Sequence, residues 1–168
     1  MPETKKEKTA EPTKEEKALD SLIARYEKLD PLTSRIILKD KASTLIPALS
    51  AILEEEGSGL RFFALFILVT IAADGKLTEG EYSALLPSLK AFFGEKDAPS
   101  YEDCLENLKL LKTEEKEAKK ELDDFVDQVG AFSPAMKEDL VVVALLICAV
   151  DGQVSAREKA WIRRLIED

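Results

Sequence analysis

The segment Ala73-Asp74-Gly75-Lys76-Leu77-Thr78-Glu79-Gly80-Glu81 returns as Val150-Asp151-Gly152-Gln153-Val154-Ser155-Ala156-Arg157-Glu158, each copy behind an unusually apolar run. The copies lie 77 positions apart, so Thr78 falls on Ser155 and Glu81 on Glu158 without a gap. Repetition at a fixed spacing constrains the fold more than composition does, because both copies must build the same local unit. That unit is a helix stop followed at once by a helix start. Gly75 and Gly152 supply the residue that takes positive φ just past a helix C-terminus. Thr78 and Ser155 read as N-caps, and Glu81 and Glu158, three residues on, complete capping boxes in which hydroxyl and carboxylate satisfy each other's orphan amides.

The rest of the chain carries the same signature. Leu, Ala, Glu and Lys dominate and alternating β-branched runs are absent, so an all-α fold is expected. Thr13 with Glu16 opens a first helix running to about Leu29, and Asp30-Pro31 opens a second. A break is expected within Lys39 to Ser43, with Thr44 capping the next helix and Pro47 in its first turn. Leu60 to Ala73 is apolar nearly all round, which marks a helix buried on most sides. Thr78 to Phe93 is amphipathic, with a bend or interruption expected at Pro87. Gly94 to Pro99 reads as a loop. Ser100 with Asp103 starts a helix through Leu111, and Thr113 caps a further, strongly charged one. Ser133-Pro134 opens the second apolar helix, and the last runs from Ser155 to about Glu167.

The duplication reaches beyond the turn, since Leu45 maps onto Leu122, Ala48 onto Phe125, Leu49 onto Val126 and Ile52 onto Val129 at the same spacing. Three helices per half therefore correspond, in repeats of about 44–93 and 113–168. Neither half easily buries its apolar helix alone. The expected architecture is a duplicated helical bundle with an approximate two-fold axis, in which Phe62 to Ala73 and Leu140 to Val150 are the buried central pair. Residues 1–12 read as a disordered tail, 13–43 as an N-terminal helical extension and 44–168 as the duplicated domain.

Charge and composition exclude several functions. A net charge of −9 lacks the clustered basic face that nucleic acid requires. With no His, the commonest general base and the usual nucleophilic triads are missing, and Cys104 and Cys148 make neither a zinc site nor a disulfide framework. Both thiols fall at apolar-face positions and are expected to be buried and inert. The apolar runs fall short of the roughly 20 residues needed to span a bilayer. Residues 1–17 carry no apolar signal core, so the cytoplasm is the expected location.

Paired Asp-Gly turns with Thr/Ser-x-x-Glu caps, each behind an apolar helix, resemble the TerB-like tellurite-resistance family over roughly Leu45 to Asp168. That family is similar also to the N-terminal region of a DnaJ-like membrane co-chaperone. The resemblance implies an internally duplicated all-α module linked to tellurite resistance, metal sensing and membrane-associated complexes. A non-catalytic interaction module is expected, acting in tellurite resistance or stress response through partner proteins of a stress-response or membrane-associated complex. The acidic residues matching the motif are Asp74, Glu81, Asp151 and Glu158, candidate oxygen ligands for Ca²⁺ or Mg²⁺. Capping alone accounts for the pattern and is the preferred reading. An EF-hand is rejected: with Asp74 at the loop's fifth position, positions one and three are Thr70 and Ala72, which bring no carboxylate. Trp161 is read as packing or interface, and Arg157, Arg163 and Arg164 as a solvated basic face. Two alternatives to an interaction module stand: a carboxylate-metal hydrolase built on the four acidic residues, which requires the turns to converge, and a purely structural scaffold.

Overall fold

A computed structural model describes residues 11–54, 58–73, 77–150 and 152–167. They form seven helices: α1 (Lys14–Glu27), α2 (Pro31–Leu53), α3 (Ser58–Ala72), α4 (Glu79–Phe93), α5 (Tyr101–Phe132), α6 (Pro134–Cys148) and α7 (Ala156–Ile166). The all-α expectation holds, and most starts fall where cap chemistry puts them. Thr13, Thr78 and Ser100 each close a reciprocal capping box. Asp30 and Ser133 cap helices whose first residue is proline.

Two expected boundaries do not exist. α2 runs unbroken through Lys39 to Ser43 and carries Pro47 in its interior rather than in a first turn. The Ser43 hydroxyl donates to the Asp40 carbonyl at 2.7 Å and the Thr44 hydroxyl to the same oxygen at 3.3 Å, so these residues serve the helix interior instead of capping a new start. α5 likewise continues through Thr113, joining two expected helices into one of 32 residues. Nor does Pro87 interrupt α4.

α3 and α6 are the central pair, and they pack against each other. Phe63, Phe66, Ile67 and Val69 of α3 are buried, as is every residue of α6 from Val143 to Cys148. Each apolar helix also meets an outer helix of both halves: α3 packs on α2 and α5, and α6 on α5 and α2. The Phe62 ring sits 4.4 Å from that of Phe125, centroid to centroid, across the α3–α5 contact. α4 lies on α2, and α7 on α5 and α6. Leu19 and Ile23 place α1 in the same core.

Ion pairs fasten the outer helices. Lys41 of α2 meets Asp139 of α6 at 2.6 Å, and Arg164 of α7 meets Asp123 of α5 at 3.1 Å. Arg163 pairs with Glu167 at 3.0 Å and reaches Glu16 of α1 at 3.4 Å, while Lys159 pairs with Asp20. Arg163 and Arg164 are thus tied to carboxylates of their own chain, and of the expected basic face Arg157 is the member left exposed without a described ion pair. Among the described residues no helix is long and apolar enough to cross a membrane.

Candidate functional site

The two turns are built by the helices they separate. At the first, the Thr78 hydroxyl accepts from the Glu81 amide at 3.1 Å, and the Glu81 carboxylate accepts from the Thr78 amide at 3.3 Å. At the second, the Ser155 hydroxyl accepts from the Glu158 amide at 3.2 Å. Gly152 has φ of +85°, the left-handed conformation expected of it. Glu81 and Glu158 are half-buried at equivalent positions in the first turns of α4 and α7. Of the four acidic candidates, Asp74 and Asp151 lie outside the described residues, as does Gly75.

The turns are anchored by different partners, which the repeat gave no means of finding. Leu77 and Val154 are equivalent at the 77-residue spacing. The Tyr101 hydroxyl donates to the Leu77 carbonyl at 2.9 Å, whereas the Val154 amide donates to the Glu27 carboxylate at 3.2 Å. Tyr101 packs on Tyr82, whose hydroxyl donates to the Pro99 carbonyl at 2.7 Å, so the first turn is held by the start of α5. The second is held by the end of α1. Neither Tyr101 nor Glu27 has a counterpart in the other half, and both are far from the turn in sequence.

Thr70, at the first position of the rejected EF-hand frame, is 1% exposed inside α3. Its hydroxyl donates to the Phe66 carbonyl at 2.7 Å and accepts from the Trp161 indole at 3.2 Å. That position is core, not a cation loop. Trp161 is accordingly a packing residue with its one polar atom satisfied against α3.

Among the described residues no three His, Cys, Asp or Glu side chains gather closely enough to hold a metal ion. The Glu81 carboxylate is engaged by a main-chain amide, so a cation there competes with the helix cap. Cys104 and Cys148 are buried, and burial, with the Asp103 carboxylate second, pushes the Cys104 thiol above its ordinary pKa, opposite to what a nucleophile needs. Beside the second turn, a cleft of about 460 Å³ is bounded by Leu38 of α2, Leu85 of α4, and Val150 and Gly152 of the turn, with Glu27 and Arg35 as the ionisable groups among its described lining residues.

Neither the curated proteins nor the solved structures include a significant match to this chain. The family model described as "Tellurite resistance protein TerB" matches residues 60–167, which take in α3 from its third residue, α4 through α7 and both turns. With the paired Asp-Gly turns, the caps behind them and the two apolar helices all inside that match, the chain belongs to the TerB family.

Proposed function

We propose that this TerB-family chain is a non-catalytic interaction module of the cytoplasm, acting in tellurite resistance or a related stress response by docking partner proteins, including those of a membrane-associated complex. One observation carries the reading. Of the large apolar side chains left in water, Leu32, Ile36 and Phe132 are 60%, 61% and 79% exposed, and all three line clefts between helices. A scaffold that only stabilised itself gains nothing from apolar groups exposed beside concave surface. The duplicated turns are, in this reading, stabilising caps first. A divalent cation at Glu81 or Glu158 is a weak secondary role, and a hydrolase centre would have to take Glu81 away from its cap.

The test is affinity capture from the native cell with the full chain, against a variant carrying Leu32→Ser, Ile36→Ser and Phe132→Ser. Because all three residues are exposed, the variant keeps its fold, as circular dichroism checks. Partners retained by the wild type and lost by the variant support the module. Recovery no different from bare resin supports the scaffold instead.

A further inference from the structure

Leu32 and Ile36 stand one helical turn apart on the outer face of α2, and with Leu86 and Pro87 of α4 they line a groove of about 560 Å³. Arg35, Ser83 and Pro87 line this groove and also the 460 Å³ cleft beside the second turn, so the two adjoin along the α2–α4 seam. Exposed apolar anchors at i and i+4 beside a trough between helices are the geometry that receives an amphipathic helix.

The rim supplies the second half of the argument. The chain has 33 acidic residues against 24 Lys and Arg, yet among the described residues the groove is lined by Arg35, Lys39 and Lys90 with Glu95 as the one carboxylate. Other cations of the outer helices, Lys41, Lys159, Arg163 and Arg164, are paired to carboxylates. Arg35, Lys39 and Lys90 are exposed and make no ion pair among the described residues. A local cationic rim around an apolar floor, on a molecule of net charge −9, selects a small anionic ligand over an extended one. A short helix feels charges within about a Debye length, roughly 8 Å, whereas an anionic membrane also meets the surrounding acidic surface. Two copies of the chain repel each other for the same reason.

We propose that the α2–α4 groove docks an acidic amphipathic helix of a partner protein, its apolar face on Leu32, Ile36 and Leu86 and its carboxylates on Arg35, Lys39 and Lys90. The proposal rests on the interaction-module reading and gives it a partner chemistry. α2 lies before the family match at residues 60–167, so one wall of the groove belongs to this chain's own N-terminal part and the other, α4, to the family domain.

The test titrates the full chain with three probes while following the methyl resonances of Leu32, Ile36 and Leu86. These are a Leu/Glu amphipathic peptide of about five helical turns, the same peptide with Lys for every Glu, and phosphatidylserine vesicles. The acidic peptide should shift those methyls and bind at least about tenfold more tightly than the basic one, a difference that shrinks with added salt. Arg35→Glu with Lys90→Glu should remove that preference, and Leu32→Ser with Ile36→Ser should weaken binding by about tenfold or more. Equal binding of both peptides, vesicle binding in preference to peptide, or shifts that instead track chain concentration as in a dimer would overturn the proposal. Should native-cell capture recover partners that the α2–α4 substitutions leave untouched, this groove is not the docking site, yet the module reading stands on the Phe132 face.

Discussion

At the level of single residues, the turn glutamate separates capping from metal binding. Glu81 caps through its carboxylate oxygen, and Gln keeps an oxygen that accepts the same amide while losing the charge a cation needs. Glu81→Gln should therefore stay within about 0.5 kcal/mol of wild type, while Glu81→Ala and Thr78→Ala each cost about 1 kcal/mol, as chemical denaturation would show. Millimolar Ca²⁺ or Mg²⁺ that raised the wild-type melting temperature but not that of Glu81→Gln would reverse the assignment. Thr70 and Trp161 make a second pair to test. Thr70→Val strands the buried indole N–H and should cost about 1–3 kcal/mol. In the Trp161→Phe background that donor is gone, so adding Thr70→Val should cost about 1 kcal/mol less, a coupling that a double-mutant cycle measures. The caps were legible in the sequence because each is written in four consecutive residues. The Thr70–Trp161 bond was not, because its partners are 91 residues apart and nothing local to either announces the other.

Among the elements, the same residue types misled where tertiary packing overrode them. Ser43, Thr44 and Pro47 carry the signals of a helix start, and Thr113 those of a cap, yet α2 and α5 run straight through. Hydroxyls accept amides at an N-cap and donate to preceding carbonyls inside a helix, so sequence alone does not choose between the two. What chooses is continuity of the buried face: Leu38, Ala42, Leu45 and Leu49 keep helical spacing across the expected break and enter one core. The apolar runs of α3 and α6 were legible because no register leaves them a polar side. How closely α3 approaches α2 was not. A Cβ on Gly59 would lie 2.2 Å from the Ile46 carbonyl oxygen and 2.6 Å from the Ser50 amide nitrogen, both main chain, and the Gly59 amide donates to the Ser50 hydroxyl at 2.9 Å. On helix propensity alone Gly59→Ala would gain about 1 kcal/mol. Steric conflict with rigid backbone should win, giving a net loss of about 1–3 kcal/mol in thermal or chemical unfolding.

For the whole molecule, the helices' neighbours suggest why the repeat persists. Exchange α2 with α5, α3 with α6 and α4 with α7, and most packing partners are preserved: α2 on α3 becomes α5 on α6, α3 on α5 becomes α6 on α2, and α2 on α4 becomes α5 on α7. We propose that this reflects an approximate two-fold axis between α3 and α6, which superposing residues near 44–93 on those near 113–168 would establish by matching backbones. The anchors of the turns stand outside that relation, since Tyr101 and Glu27 are unpaired across it. Packing of this kind makes the halves mutually dependent. Each apolar helix meets its own outer helix on one side and the other half's outer helix on another, so a separated half exposes the residues that are most deeply buried in the whole, Phe63 and Phe66 in one case, Leu140 and Leu145 in the other. Returning two Phe and their neighbours to water costs several kcal/mol, comparable to the entire stability of a small domain. A protease site between Lys96 and Asp97, in the exposed segment after α4, provides the test. The nicked protein should remain one particle by sedimentation, its two fragments separated in denaturant should each refold to low helicity, and mixing them should restore the circular dichroism of the intact chain. Full helicity and cooperative melting in either fragment alone would show instead that one half closes its own core, and that the duplication is a tandem of independent units.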